Sequence, residues 1–468
     1  MRIDFPLASC DQATAKQQVA DEFILLHLKN QAPWLFASRE TRSGIDKYAC
    51  FCAARRGIAD SNKPERANVK LCAEVSGRDG KAVLQMGYSI RAWLISFLVA
   101  CGLMVTPAGS SFAGEGVKPV MHGLVDMSDI GFYGFGGTPT FIPNDIAPYA
   151  DSFSGIVLNT TWASLQPDGP GALAKNNPID QAIAALTTYN SQHPDSPLTI
   201  KLRVYAGFTA PAWAQNIGGP PVSISPQEQG RTGTVGRWWK PAYIRKWRAL
   251  QAKLARKYDG NPLISQVAIT SCASTSDEPF VPFDLTGIQE LQAAGYTDAA
   301  QRSCLLGAIG DYAPWKKTYI DFTFNPFHNF DSGHDVNNPN FTIRVMKMCE
   351  NAPHCILDNH TLNDPLRASN DSVYQEMQTL YAKRPEHTVV NFQTAKPCEL
   401  PWCGSIANAS SLHASSVEVW PTSVNGGGFN SFTPDVVANM ANALLNGTAP
   451  AASPCPPPPP GNCPTYGD

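Results

Sequence analysis

The sequence predicts a (β/α)8 TIM barrel with a Pro-rich C-terminal tail. Two observations carry that expectation. Short β-like runs alternate with helical patterns through most of the chain, which is the signature of an α/β fold. The alternating part is about 330 residues long, a common size for one barrel with long loops.

The elements follow in order. A first strand is placed near Met121–Val125. Ile156-Val-Leu-Asn159 is the second, and an amphipathic helix runs from Ile179 to Tyr189 after Asn177-Pro178. Leu198 to Tyr205 alternates Leu, Ile, Leu and Val on one phase, which is a strand. Pro241 to Tyr258 is a helix, with Pro at its start and Asp259-Gly260 just past its end. Ile264 to Thr270 is a strand. Helices are expected over Ile288 to Ala294 and Asp298 to Gly310. Tyr319 to Phe324, His354 to Asp358, His387 to Phe392 and Ser416 to Trp420 complete eight strands. Helices near Val373–Ala382 and Pro434–Leu445 accompany them. Thr448 to Asp468, with five consecutive prolines after Cys455, cannot pack a core and reads as an extended tail.

The 468-residue chain has a net charge of −3 and only 16% charged residues. A nucleic-acid partner is not expected, because phosphate binding needs a basic footprint. No heptads or short repeats appear, which excludes coiled coils and solenoids.

Met86-Gly-Tyr-Ser-Ile-Arg91 precedes an apolar run, Ala92 to Val105, and then Ser111-Phe112-Ala113. A basic start, an apolar centre and small residues at a cleavage position make a signal peptide over 86–113. The run is short for a span, which takes about 20 residues. Residues 1–85 would then be an over-extended N-terminal reading, with translation starting at Met86. The alternative is a small cytoplasmic domain tethered by a signal anchor. Leu98-Val-Ala-Cys101 also resembles a lipobox, so a lipid anchor is a further route to the membrane. The expected destination is secreted or periplasmic, with 114–447 as the catalytic domain and 448–468 as the tail.

Cysteines divide the same way. Five of the thirteen fall before residue 114, and eight remain: Cys272, Cys304, Cys349, Cys355, Cys398, Cys403, Cys455 and Cys463. An even number in an exported chain suggests disulfides. Proximity pairs 349 with 355, 398 with 403 and 455 with 463, leaving 272 with 304; sequence alone allows 105 pairings. With no C-x-x-C pair, no zinc site is expected.

Working residues of such barrels lie at the C-terminal ends of strands. The substrate-binding candidates there are Trp162, Arg203, Tyr205, Trp213, Asp277, Asn325, His328, Asp358, Asn359, His360, Gln393 and Trp420. Aromatic faces stack on sugar rings, and amides and carboxylates bond hydroxyls. Glu278 is the candidate acid, in a loop of small polar residues with Asp277 beside it and Pro279 after it. Glu418 is the candidate second carboxylate, since it interrupts an apolar strand next to Trp420. A charge there must face a polar mouth or be paired, and Arg203 is a candidate partner. No metal or cofactor is implied. No G-x-S-x-G elbow appears, which counts against an esterase.

The order of motifs resembles the clan A glycoside hydrolases, especially the β-galactosidase-like ones, over roughly residues 120–445. Gly155-Ile-Val-Leu-Asn-Thr-Thr-Trp162 through Gln166-Pro167 is similar to their second strand and loop. Lys201-Leu-Arg-Val-Tyr-Ala-Gly207 with Ala210-Pro-Ala-Trp213 is similar to their third strand. Trp239 to Pro262 resembles the helix and turn that lead to their fourth, where Asp277-Glu278-Pro279 takes the place of Asn-Glu-Pro. The resemblance implies an O-glycosidase with Glu278 as general acid/base. Two departures stand out. Asp277 replaces the Asn that contacts the sugar 2-hydroxyl, and the end of strand seven carries Gln393 where the nucleophilic Glu is expected. Glu418, on strand eight, would then be nucleophile or base. The rival expectation is a carbohydrate-binding barrel without catalysis.

Overall fold

The computed structural model describes residues 116–127, 147–227, 231–273, 276–280, 287–331, 336–395, 402–420 and 433–450, with short strand segments between 50 and 85. The chain divides into two compact units, Met1–Ser110 and Ser111–Asp468. In the first, Cys50–Phe51 pairs antiparallel with Leu71–Cys72, and Glu74–Ser76 with Val83–Gln85. The signal segment expected over 86–113 and the tail beyond residue 450 lie outside the described residues. Among the described residues no helix is long and apolar enough to cross a membrane.

The second unit is a closed barrel of eight parallel strands in sequential order. These are β1 (Gly123–Asp126), β2 (Phe153–Thr161), β3 (Thr199–Tyr205), β4 (Ile264–Ala268), β5 (Tyr319–Thr323), β6 (Cys355–Leu362), β7 (Val390–Thr394) and β8 (Ser416–Val419). β8 closes on β1, with Glu418 opposite Val125. The expected (β/α)8 fold is therefore present, and each expected strand is found. β6 runs past its expected end at Asp358 to Leu362, so Asp358, Asn359 and His360 belong to the strand and not to the loop after it. The pairing of Leu362 with Thr394 on β7 carries the ladder that far.

Among the described residues, seven long helices follow β2 to β8: α1 (Pro178–Gln192), α2 (Pro241–Tyr258), α3 (Asp298–Asp311), α4 (Pro339–Glu350), α5 (Asp371–Lys383), α6 (Trp402–Ser411) and α7 (Pro434–Leu445). α4 and α6 are additions to the expected helices. α4 carries clear start signals: Asn338 accepts from the Phe341 amide and Pro339 sits at N1. Its buried Phe341, Val345, Met346 and Cys349 form one stripe. α6 is rich in Ala, Ser and Gly and shows no such stripe in its sequence. Two antiparallel hairpins are inserted, Val222–Gln227 with Arg231–Val235 after β3, and Phe327–Asn329 with Val336–Asn338 after β5.

Strand side chains alternate between two environments. Leu158, Leu202, Val267, Phe322, Leu357 and Phe392 point outward into the continuous core shared with the helices. α2 shows how the helices answer them: Tyr243, Trp247, Leu250, Leu254 and Tyr258 are buried along one face. The opposite phase faces the lumen. Part of it is apolar, with Met121, Val125, Met127, Val157 and Trp420 in a separate buried cluster. A Cβ at Gly155 would come within 2.7 Å of the Met121 methyl and of the Thr199 carbonyl, so only glycine fits at this point of the wall. The rest of the lumen is charged.

Candidate active site

β3 supplies two cations to the lumen, Lys201 and Arg203, both almost fully buried. They are two residues apart on a strand, so they share a face. Lys201 Nζ lies 2.8 Å from Asp321 on β5, 2.8 Å from Asp358 on β6 and 2.5 Å from Glu418 on β8. None of those strands is adjacent to β3, so these ion pairs cross the lumen. Arg203 works one step nearer the C-terminal mouth. Its Nε lies 2.6 Å from Asp277 Oδ2, and its Nη2 donates to Glu418 Oε2 and, at 3.1 Å, to Gln393 Oε1.

His360 completes the cluster. Its Nε2 lies 3.0 Å from Asp358 Oδ2 and 3.1 Å from Thr323 Oγ1, and its Nδ1 lies 3.6 Å from Asp277 Oδ1. Three cationic side chains thus face four carboxylates: Asp277, Asp321, Asp358 and Glu418.

Charge compensation sets their protonation. Burial disfavours the Lys201 ammonium, but Asp321, Asp358 and Glu418 outweigh it and hold its pKa above the ordinary lysine value. Arg203 is held up in the same way by Asp277 and Glu418. Burial and the neighbouring Asp358 push Asp321 well above the usual carboxylate range. Asp358 goes the other way; burial opposes its charge, yet Lys201 and His360 keep it well below that range. The two neighbouring carboxyls are thus shifted in opposite directions. His360, despite burial, is raised to about 9 by Asp277 and Asp358.

Asp358, His360 and Glu418 each place one donor atom within 4.8 Å of the others, a spacing that would suit a metal ion. Lys201 bridges the two carboxylates and His360 is paired to Asp358. The positive charge that an ion would bring is already supplied by the chain, so the cluster does not fit a metal.

Glu278 sits at the rim of this cluster. It is partly exposed, while its neighbour Asp277 is buried and anchored to Arg203. Asn325 Nδ2 donates to Glu278 Oε1 at 2.8 Å. Asn325 lies two residues past β5 and is fixed by Asn359, whose Nδ2 donates to Asn325 Oδ1 and to the Phe324 carbonyl. Asn359 is itself buried and acts through Asn325. β4 ends at Ala268, so ten residues lead from the strand to Glu278.

The other candidates separate clearly. Arg203, Asp277, Asp358, His360, Gln393 and Glu418 are brought together in the lumen. Tyr205 ends β3 and is buried above Arg203. His328 lies in the hairpin after β5, half-buried, with its backbone N–H donating to the Phe280 carbonyl. Trp162 is a correction. It has no exposed surface and lies edge-on to Trp213, Tyr243 and Trp247 with centroids 5.3–5.4 Å away. Its Nε1 donates to Gln166. No face is left for a ligand, because it starts a short capped helix that turns it into the core. Trp213 is only partly buried, with Nε1 donating to the Gln166 carbonyl. Trp420 belongs to the apolar lumen cluster.

Sequence reasoning missed Lys201 and Asp321. Their signal was present: each is a charge inside an otherwise apolar strand, in phase with the next polar residue, as Glu418 is.

Two disulfides lie wholly among the described residues, Cys272–Cys304 and Cys349–Cys355, as proximity suggested. Cys403 is disulfide-bonded too. Cys398, Cys455 and Cys463 lie outside the described residues.

No family model matches this chain, and no curated protein matches it. Among solved structures, the catalytic domain of a β-amylase from Paenibacillus polymyxa is 9% identical, covering 66% of this chain and 96% of its own, with a TM-score of 0.42. A GH138 enzyme targeting pectin rhamnogalacturonan II is 11% identical over 81% of this chain and 45% of its own, with a TM-score of 0.39. A D-psicose 3-epimerase from Clostridium cellulolyticum H10 is 10% identical over 69% and 97%, with a TM-score of 0.35. The fold assignment rests on the strand order above.

Proposed function

We propose that this protein is a glycoside hydrolase in which Glu278 is the general acid/base and Glu418 the nucleophile or base, acting on a carbohydrate at the C-terminal mouth of the barrel. One observation carries the reading. Glu278 is a partly exposed carboxylate oriented by a buried amide, Asn325, beside an aspartate locked to the lumen by Arg203. A proton donor needs this combination of access and fixed aim. Glu418 reaches the same guanidinium from the opposite wall, so Arg203 links both carboxylate positions. Hydrolysis of a glycosidic bond uses two such groups and no cofactor.

Export belongs to the same proposal. Buried disulfides fit an oxidising compartment, in line with a signal segment at 86–113, a barrel over 114–447 and a tail over 448–468.

A second reading, a carbohydrate-binding barrel without turnover, is favoured by Glu418. It is 1% exposed and paired to two cations, and its register partner on β7 is Gln393.

Leaving-group dependence separates the readings. Glu278→Gln should lose about 10²–10⁴-fold on glycosides with poor leaving groups. Its kcat/KM on dinitrophenyl glycosides, which reports the step up to bond cleavage, should change little, because that leaving group departs without a proton. Unchanged turnover of natural glycosides in Glu278→Gln would remove the acid assignment. Binding without turnover by the parent protein, across aryl glycosides and polysaccharides, would establish the second reading.

A further inference from the structure

The loop that carries Glu278 is held by helix α3 as well as by the barrel. Gln301, on α3, is completely buried. Its Nε2 donates to the Cys272 carbonyl at 2.6 Å and to the Pro279 carbonyl at 2.9 Å. These two carbonyls lie on either side of Asp277-Glu278, so a single amide closes both stems of the loop. The Gln301 side chain has no freedom to turn, because its Oε1 accepts from Trp238 Nε1 at 2.9 Å. One turn further along the same helix, Cys304 is bonded to Cys272. Cys272 sits in the left-handed region, with φ of 69°, a conformation that needs outside support. The disulfide and the Gln301 bond supply it four residues past the end of β4.

The same helix face holds the neighbouring wall. The Asp298 carboxylate accepts from the Phe330 and Asp331 amides, and Arg302 donates to Asn329 Oδ1 at 2.6 Å. This fixes the hairpin after β5, and the His328 amide then donates to the Phe280 carbonyl. Four residues of one helix, Asp298, Gln301, Arg302 and Cys304, therefore set the loop and the hairpin that border Glu278.

We infer that Gln301 is a positioning residue for the proposed acid: it fixes both ends of the loop 272–280 and thereby aims Glu278, without touching substrate. This rests on the reading of Glu278 as the acid. A buried glutamine with three partners also contributes to stability, so the test needs a readout that stability alone does not move.

Gln301→Met keeps the shape and removes the three bonds. It should lower turnover of glycosides with poor leaving groups by about 10–100-fold, the scale of a small misplacement of a reacting group. The kcat/KM for dinitrophenyl glycosides should stay within about 3-fold of the parent, since departure of that leaving group needs no proton. Amide exchange should quicken at 276–280 and not in the barrel strands. Trp238→Phe, which removes the donor to Gln301 Oε1 and leaves both Nε2 bonds in place, should give the same pattern at smaller amplitude, and serves if Gln301→Met does not fold. Equal losses of kcat/KM on both substrates, or unchanged exchange at 276–280, would overturn the inference. If Glu278→Gln itself shows no leaving-group dependence, the acid assignment fails, and the exchange measurement still decides whether Gln301 holds the loop.

Discussion

Gln393 and Glu418 are register partners on β7 and β8, and Arg203 Nη2 donates to both. One guanidinium thus joins the two positions at which a second catalytic carboxylate could be sought, and its Nε holds the aspartate next to Glu278. Arg203→Met leaves Asp277 and Glu418 buried without that cation. A loss of about 3–5 kcal/mol is expected, as for other broken buried pairs. Urea denaturation of the two proteins measures it. A loss under about 1 kcal/mol, the scale of an exposed pair, would contradict the burial argument.

Lys201 and Glu418 should behave as a coupled pair. Lys201→Met alone should destabilise by about 3–5 kcal/mol, because three carboxylates lose their shared partner. Adding Glu418→Gln should recover part of that loss, with a coupling of about 0.5–3 kcal/mol in a double-mutant cycle. Strict additivity would mean that the contact carries no energy.

Stability should fall in mild alkali. His360 is raised from its ordinary value of 6.5 to about 9 by Asp277 and Asp358, against its burial. The folded state then binds the proton more tightly than the unfolded chain. The contribution is complete below about pH 6.5 and is lost as pH rises through about 9, with a slope near one proton, ~1.4 kcal/mol per pH unit. Urea midpoints between pH 6 and 10, compared with His360→Gln, check this. The variant should show a flatter profile over that window.

At the acid end the sign reverses. Asp358 is held well below its usual range by Lys201 and His360, although burial opposes this. Its contribution is present above the unfolded value near 3.8 and is lost as pH falls toward the folded one. Asp358→Asn should remove that part of the acid sensitivity in the same titration.

The two disulfides should contribute unequally. Cys272–Cys304 spans 32 residues and Cys349–Cys355 spans 6. The chain-entropy model gives about 3–4 kcal/mol for the longer loop and about 2 for the shorter. Serine pairs at each site, compared by thermal unfolding, test that order.

The barrel was legible in the sequence because its determinants are local. Alternation of Leu, Ile and Val fixes strand phase, and Pro241, Asn177 and the Asp259-Gly260 pair mark helix ends within a few residues of the pattern they bound. α6 escaped because its small side chains make no apolar stripe, and β6 read as short because its polar end is held by pairing to β7 and not by its own residues. Trp162 read as a substrate-binding candidate for a similar reason: the local sequence shows a tryptophan after a strand, and only packing against Trp213, Tyr243 and Trp247 turns it inward.

By itself, then, the sequence determined the number and order of strands, the candidate residues at their ends, and the charges that had to be paired. Tertiary structure alone decided which charges meet. Lys201 finds Asp358 157 residues away, and Arg203 finds Glu418 215 residues away. Closure and register of eight strands bring those rows face to face across the lumen. No local pattern encodes a partner on a non-adjacent strand, because the contact exists only once the barrel is shut.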